Sequence, residues 1–251
     1  MPLFVYCCNK AYPEYDIKLF IRGDIKPHIR EALNMQPGTH EIIPGLFDDY
    51  HHTKYAPISW RFVVPPKYYE GYDYVYITDI DMMIIREETK LIDFHVNEMK
   101  NTQMCYSNSR RHSKHWKGIM SLSGLHFVKN VWFDRTEDSR VKYAALLKAG
   151  KVGKKREYDG HMLWRMVKES GLEVCKKYPL TKRHHGIHLG NFRLYQSMAK
   201  LKKRMGKFKC TPWRRFLKDK KFGEILALCA RDPKVRDQTN MLREHCKKVM
   251  K

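Results

Sequence analysis

The sequence predicts an α/β protein in which helices flank a central, mostly parallel sheet. Short runs rich in β-branched and aromatic residues alternate along the chain with longer segments of helical character. One of these runs, YDYVYITDIDMMIIRE from Tyr72 to Glu87, is typical of a strand covered on both faces. The 251 residues, 43% of them hydrophobic, are enough to bury a full core.

The first third of the chain predicts a strand, a bent helical segment and a loop. LFVYCC is interpreted as the first strand. The helical segment from Tyr15 to Leu33 contains Gly23 and Pro27, so it must break or bend. A loop rich in His, Pro and Gly follows, and the segment from Trp60 to Val64 then leads to the strand described above.

The following part of the chain continues the alternation. A strand is predicted at Met104 to Ser107, followed by the basic loop NSRRHSKHWKG and the apolar run SGLHFV. A helix is predicted from Tyr158 to Glu169, followed by a short strand LEVC and the histidine-rich HHGIHLG. In parallel α/β sheets, ligands bind at the carboxyl ends of strands, and TDID lies at such an end.

The carboxyl-terminal fifth is strongly basic. The chain has a formal net charge of +22, and residues 196–251 contain 18 Lys or Arg against 5 Asp or Glu. We therefore expect a folded domain at residues 1–195 and a basic helical extension at 196–251. Basic residues alternate there with apolar ones, which suits an anionic membrane surface; helices packed on the domain with a basic outer face explain the pattern equally well. The apolar residues in question are Trp213, Phe216, Leu217, Phe222, Ile225 and Leu226.

The composition favours a cytoplasmic protein. No apolar stretch approaches the roughly 18 residues that span a bilayer, and the opening MPLFVYCCNK does not have the pattern of a signal peptide. Seven cysteines, an odd number without a regular framework, are typical of reduced thiols. Peripheral attachment to a membrane through the basic extension remains compatible with this location.

Two carboxylates, Asp79 and Asp81, interrupt the apolar strand. Buried carboxylates are costly unless a positive group pairs with them, and this spacing brings two of them close together. Hard divalent ions such as Mg²⁺ and Mn²⁺ prefer such ligands and are often completed by substrate phosphates. Asp-x-Asp also occurs by chance, as a turn with two solvated aspartates.

Four segments, in order, resemble family 8 glycosyltransferases. SWRFVVPPKYYEGYDYVYITDID resembles the family's Tyr-x-Arg-Leu-x-x-Pro stretch and its Tyr-Leu-Asp-x-Asp strand, with Arg61 and Pro65 at matching positions. SLSGLHFV resembles its Asn-Ser-Gly strand, with Leu122 in place of Asn before Ser123 and Gly124. YDGHMLW resembles its Asp-Gln-Asp-x-Leu-Asn segment, with matches at Asp159 and Leu163. IHLGNFR resembles its His-x-x-Gly-x-x-Lys turn, with His188, Gly190 and Arg193; the spacing between His and Gly is one residue shorter, and Arg replaces Lys.

This resemblance, which covers roughly residues 1–195, implies a GT-A (Rossmann-like) domain that binds a UDP-sugar and transfers the sugar to a glycan or other hydroxyl acceptor. It implies that Asp79, Asp81 and His188 hold Mn²⁺ or Mg²⁺, with Asp79 alternatively holding the ribose. Arg61 and Arg193 are expected to bind phosphate oxygens or the sugar, beside the turn at Gly190. Asp79, Asp81 and His188 must then meet in one cleft.

The stereochemistry decides which residue acts in catalysis. An inverting reaction needs a general base for the acceptor hydroxyl, for which Asp159 is the first candidate and Glu157 the second. A retaining reaction, as in family 8, needs no such base, and Asp159 then contacts the transferred sugar or the acceptor. An N-cap is the ordinary alternative for Asp159. The sequence leaves this choice open.

The nucleotide is expected near the first strand, where Tyr6, Cys7 and Asn9 follow in sequence and Tyr6 would stack on the base, unless it is a core residue. Neither the Gly-x-Gly-x-x-Gly fingerprint nor a Walker-type phosphate loop is present, which argues against NAD-linked and ATPase functions. The rival class is a basic nucleic-acid-binding or nucleic-acid-processing protein, favoured by the sequence pI of about 9.7. That alternative leaves Asp79 and Asp81 unexplained.

Overall fold

The computed structural model describes most of the chain and divides it into two compact units. The described residues are 1–53, 55–86, 88–108, 110–112, 120–152, 159–174, 187–188, 218–232, 236, 239–240 and 242–244. Unit 1 comprises Met1–Gly45, Ile80–Leu91 and His184–Lys251, and unit 2 comprises Leu46–Asp79 and Ile92–Arg183. The domain boundary expected at residue 195 lies outside the described residues and stays a prediction.

Unit 1 begins with a helix where the sequence analysis expected a strand. Helix α1 spans Pro2–Ala11, and nine of its ten residues are buried. The run LFVYCC was interpreted as a strand because it is short and apolar, but such a run does not distinguish a buried strand from a buried helix. Pro2 is the local signal that was missed, since proline favours the first turn of a helix.

The break expected between Tyr15 and Leu33 is confirmed, although the segment is not helical throughout. Strand β1 (Lys18–Ile21) comes first, Gly23 follows with a φ of +67°, and Pro27 starts helix α2 (Pro27–Asn34). Strand β2 (Glu41–Pro44) pairs with β1 in parallel.

The basic extension contains a packed helix. Helix α8 (Lys220–Cys229) has Asp219 as its N-cap and packs against α1 and α2. The Phe222 ring lies 6.1 Å from the Tyr6 ring, and Lys26 Nζ lies 2.8 Å from Asp232 Oδ2. For this helix the packed alternative is confirmed, since Phe222, Ile225 and Leu226 are fully buried. Trp213, Phe216 and Leu217 lie outside the described residues.

Unit 2 contains a three-stranded antiparallel sheet in the order β3 (Tyr74–Ile77), β8 (His126–Lys129), β5 (Tyr106–Ser107). A second pair joins β6 (Arg110–His112) to β7 (Met120–Leu122). The helices are α3 (Pro57–Trp60), α4 (Leu91–Thr102, whose first residue belongs to unit 1), α5 (Val131–Arg135), α6 (Glu137–Lys148) and α7 (Asp159–Glu169). The strand expected from Tyr72 to Glu87 is only partly confirmed: it forms β3 and, in a different pairing, the strand at Met82–Met83, and β3 is mostly half-buried and not covered on both faces. The strands expected at Met104 to Ser107 and in SGLHFV, and the helix ending at Glu169, are confirmed; residues 172–174 of LEVC form no strand.

The mixed α/β class is confirmed, but the expected direction of the sheet is not found. Strand β4 (Met82–Met83) pairs antiparallel with β9 (Ile187–His188), so four of the five pairings among the described strands are antiparallel. A mostly parallel central sheet is therefore not present in the part of the chain that the structure describes. Apolar content reports burial of a strand and not its direction, which is why the sequence could not decide this point.

Four cysteines in the described ranges, Cys7, Cys8, Cys105 and Cys229, are free and buried, as expected for reduced structural thiols. Burial raises the pKa of each of these thiols. No helix among the described residues is long and apolar enough to cross a membrane.

Candidate functional site

The Asp-x-Asp segment lies where β3 ends. The strand stops at Ile77, Thr78 and Asp79 follow, and β4 begins at Met82. Ile80, between the two aspartates, is 54% exposed. The boundary between the two units falls after Asp79, so Asp79 belongs to unit 2 and Asp81 to unit 1.

In unit 2, one arginine joins two carboxylates that are far apart in sequence. Arg61, in the turn after α3, donates from Nη1 to Asp79 Oδ1 and from Nη2 to Asp159 Oδ2, the second at 2.5 Å. All three side chains are partly buried, with 16% of Arg61, 25% of Asp79 and 19% of Asp159 exposed. Two carboxylates share one guanidinium, which leaves a formal charge of −1.

Gly124 makes room for this ion pair. A Cβ at position 124 would overlap Arg61 Nη2 and lie 2.7 Å from Asp159 Oδ2. A Cβ at Gly160, the next residue after Asp159, would overlap the carbonyl oxygen of Leu122, so α7 approaches β7 closely at its first turn. We refer to Arg61, Asp79, Gly124 and Asp159 together as the Arg61 cluster.

Asp159 is the first residue of α7, where a carboxylate also suits the positive end of the helix dipole. The structure therefore brings together four positions that were singled out from three separate segments of sequence. Each is contributed by a loop or by an element terminus, held by the sheet of unit 2. Carboxylates in such a cluster accept hydrogen bonds from hydroxyl groups and attract cations.

Asn108 was not among the residues predicted from the sequence, although it binds Ser123, the residue before Gly124 of the cluster. This buried residue follows β5, and its carboxamide makes hydrogen bonds with both backbone groups of Ser123. Asn108 begins the loop NSRRHSKHWKG, which was interpreted only as a basic loop. The available signal was an asparagine immediately after an apolar strand, a position where local side-chain to backbone hydrogen bonds are common.

In unit 1, the backbone of His188 lies beside the chain that carries Asp81. Met82, which directly follows Asp81, pairs with His188 across the β4–β9 ladder. Directly paired residues in such ladders have Cα atoms about 4.5–5.5 Å apart. The His188 side chain lies outside the described side chains, so its position relative to the Asp81 carboxylate stays a prediction.

The donor types fit a hard divalent ion, since two carboxylates and one imidazole are acceptable ligands for Mn²⁺. Among the described residues, no group of three or more His, Cys, Asp or Glu side chains is arranged to hold a metal ion. Asp79 and Asp81 are among these described residues, whereas the imidazole of His188 is not. The observation in favour is the β4–β9 pairing, which joins the chain segments of two of the three ligands that the resemblance implies.

The residues expected at the nucleotide base are buried in α1. Tyr6 and Cys7 have no exposed surface and Asn9 is 6% exposed. Burial, aided by the nearby Asp219, raises the pKa of Tyr6, and a Cβ at Gly38 would lie 2.6 Å from Asn9 Cγ. Stacking on a base needs an exposed ring face, which Tyr6 does not offer in this arrangement. The expected position after a first strand does not exist, because that segment is helical.

The remaining predicted site residues, Glu157, Gly190 and Arg193, lie outside the described residues, and their roles stay predictions. Comparison with models of known protein families, with curated proteins and with solved structures finds no match to this chain. The function proposed below therefore rests on the resemblance seen in the sequence and on the positions of the described residues.

Proposed function

We propose that this protein is a metal-dependent glycosyltransferase that moves a sugar from a nucleoside-diphosphate sugar, with UDP as the expected nucleotide, to a hydroxyl of a glycan or another acceptor. The Arg61 cluster is the observation that supports this proposal. Its members lie up to 98 residues apart in sequence, and all were selected from ordered segments that resemble family 8 glycosyltransferases. The finer assignment to the GT-A fold is part of the same proposal.

The residues divide the work as follows. Asp79, Asp81 and His188 would hold the divalent cation, which when bound would supply charge stabilisation to the departing diphosphate. Arg61 fixes the orientation of the Asp79 and Asp159 carboxylates, because each of its two terminal nitrogens binds one of them. The net negative charge of the cluster makes it better suited to sugar hydroxyls or a cation than to a phosphate oxygen. Arg193 remains the candidate for the phosphate.

The Asp159 carboxylate has one oxygen bound to Arg61. As a sugar-binding group it would accept a hydroxyl proton in a hydrogen bond, and as a general base it would take that proton from the acceptor. Both roles need the same fixed orientation. The choice between retention and inversion stays open, as it is in the sequence.

The test is calorimetric titration of UDP into the protein with Mn²⁺ and with EDTA, repeated on Asp81→Ala and on Asp134→Ala, an exposed aspartate of α5, as the control. We expect UDP binding that requires Mn²⁺, is weakened about 100-fold or more by Asp81→Ala, and is unchanged by Asp134→Ala. If UDP, GDP, CMP and dTDP all fail to bind, the proposal is wrong. Salt-dependent binding of nucleic acid would then be measured, because the net charge of +22 favours that rival.

A further inference from the structure

Asn108 is fully engaged at a point where two strand pairs meet. It lies between β5 and β6, and Ser123 lies between β7 and β8. Asn108 Oδ1 accepts from the Ser123 amide at 2.8 Å, and Nδ2 donates to the Ser123 carbonyl at 2.9 Å. One carboxamide thus binds both backbone groups of Ser123. These two bonds fix the peptide groups on either side of this residue.

The Ser123 backbone determines which way the Asn108 amide points, because a flipped amide would place its oxygen against the Ser123 carbonyl. In this orientation Asn108 Nδ2 lies 2.8 Å from His126 Nδ1, which acts as the acceptor because an amide nitrogen only donates. His126 has no exposed surface, and its ring packs against Tyr106 at 5.2 Å and Trp132 at 4.9 Å between centroids. The packed imidazole thus adds a further hydrogen-bond partner that holds Asn108 in place.

The residue that follows this fixed peptide is Gly124, which borders Arg61 and Asp159. A small displacement of its backbone would alter the space that the ion pair occupies. His126 is also linked to Arg61 through Phe62, since its ring is 6.4 Å from the Phe62 ring, over which the Arg61 guanidinium lies at 4.8 Å. Two sets of contacts thus lead from Asn108 to Arg61.

We propose that Asn108 is a positioning residue for the Arg61 cluster: by holding the Ser123 peptide it keeps Gly124 in place against the Arg61–Asp159 ion pair. The consequence for ligand binding rests on the proposed function, whereas the effect on the ion pair does not. Asn108 itself need not touch the ligand.

Asn130 provides a matched control in the same unit. Its Nδ2 donates to two backbone carbonyls, those of Tyr69 at 3.1 Å and Tyr72 at 2.8 Å. Asn130→Ala therefore removes a carboxamide with a similar bonding role, whose hydrogen bonds go to Tyr69 and Tyr72 and not to Ser123. Any general effect of losing such a side chain will be seen in both variants.

The experiment is ¹⁵N NMR of arginine side chains in the full chain, with the Arg61 signals assigned from Arg61→Lys. Ion pairing at both terminal nitrogens slows rotation of the guanidinium group. We therefore expect resolved Nη signals for Arg61 in the native protein and in the control variant Asn130→Ala. We expect Asn108→Ala to merge these signals. A folded Asn108→Ala protein that keeps the native Arg61 signals would overturn the proposal.

A measurement on the native protein covers the case in which Asn108→Ala does not fold. Hydrogen exchange of the Ser123 amide should be slowed at least about 100-fold relative to an unprotected amide, because the bond to Asn108 must open first. Exchange at the unprotected rate would also overturn the proposal.

UDP titration separates this inference from the proposed function. We expect Asn108→Ala to weaken UDP binding about tenfold, the effect of roughly one hydrogen bond to a charged group. If neither protein binds UDP while the Arg61 signals merge in Asn108→Ala, the positioning role stands and the proposed function fails. If UDP binds both equally well, the positioning role has no consequence for the site and is rejected.

Discussion

Two of the ion-pair clusters in which aspartate meets a cation, one in each unit, differ in how they are tied to the fold. In unit 1, Asp219 accepts hydrogen bonds from the backbone amides of Lys221 and Phe222 and lies 3.0 Å from Lys10 Nζ. The buried Tyr6 hydroxyl lies near it and helps to lower its pKa. We refer to Asp219, Lys10 and Tyr6 as the Asp219 cluster; it caps α8 and joins that helix to α1.

The Arg61 cluster is built differently. Asp159 is placed at a helix start, but Asp79 lies in the turn after β3 and binds Arg61 by its side chain. Partly buried charges carry a desolvation cost that pairing offsets only in part. The contrast teaches that one ion pair serves the capping of a single helix, whereas the other joins carboxylates from two separate elements, the arrangement that the proposed site requires.

The largest effect is expected from Arg61→Met. This change leaves Asp79 and Asp159 without the guanidinium that both bind, so we expect UDP affinity to fall about 100-fold or more and unfolding free energy to fall by about 2–3 kcal/mol. Calorimetry and urea unfolding measure the two effects. The control is Arg165→Met, whose partner Glu169 lies 3.4 Å away on the surface of α7; it should cost only about 0.3–0.5 kcal/mol. Equal effects of both variants would remove the distinction.

Glycine substitutions are expected to act with opposite signs in the two units. Gly124→Ala forces a Cβ against Arg61 and Asp159, which should cost about 1–3 kcal/mol and reduce UDP binding. Gly223 lies in the first turn of α8, and a Cβ at this position would have no neighbour within 4 Å. The higher helix propensity of alanine in Gly223→Ala should therefore stabilise unit 1 by about 0.5–1 kcal/mol. Thermal unfolding of both variants measures the signs. A stable Gly124→Ala protein with native UDP affinity contradicts the packing argument.

Removing Asp219 should affect stability without affecting the site. Asp219→Ala loses the N-cap of α8 and the contact to Lys10, with an expected cost of about 1–2 kcal/mol. UDP affinity should stay within about twofold of native. Asp219→Asn retains a capping oxygen and should lose less stability than Asp219→Ala. Loss of UDP binding in Asp219→Asn would show that the two clusters are not functionally distinct.

The smallest effect is a pH dependence confined to the Asp219 cluster. Burial raises the pKa of Asp219, but the Tyr6 hydroxyl, a hydrogen bond from Lys10 and the Lys10 charge outweigh it, so the pKa lies below its usual 3.8. A carboxyl with a lowered pKa contributes stability that is present above 3.8 and is lost as the pH falls through the lower, folded value. Urea unfolding at pH 5 and pH 3 should therefore show a smaller loss for Asp219→Asn than for the native protein. An equal loss would mean that Asp219 titrates alike in both states.

Part of this arrangement could be predicted from the sequence. Residues that are defined by local pattern were found: the strand at Tyr74–Ile77, the helix ending at Glu169, and Arg61, Asp79 and Asp159 as site candidates, with Gly124 noted only as a match to the family's strand. The helical state of LFVYCC was missed because a uniformly apolar run carries no period, and strand direction was missed because it depends on connections. Asn108 was missed because its role exists only when β5 and β7 bring it to Ser123.

The most direct test of the central claim is paramagnetic line broadening in amide ¹H–¹⁵N spectra of the full chain with UDP and a small amount of Mn²⁺. The claim that the Arg61 cluster and the Asp-x-Asp segment form a metal and nucleotide-sugar site predicts that the amides of residues 79–82 and of Gly124 broaden first. Broadening confined to the basic extension, or none at these positions, would contradict the claim.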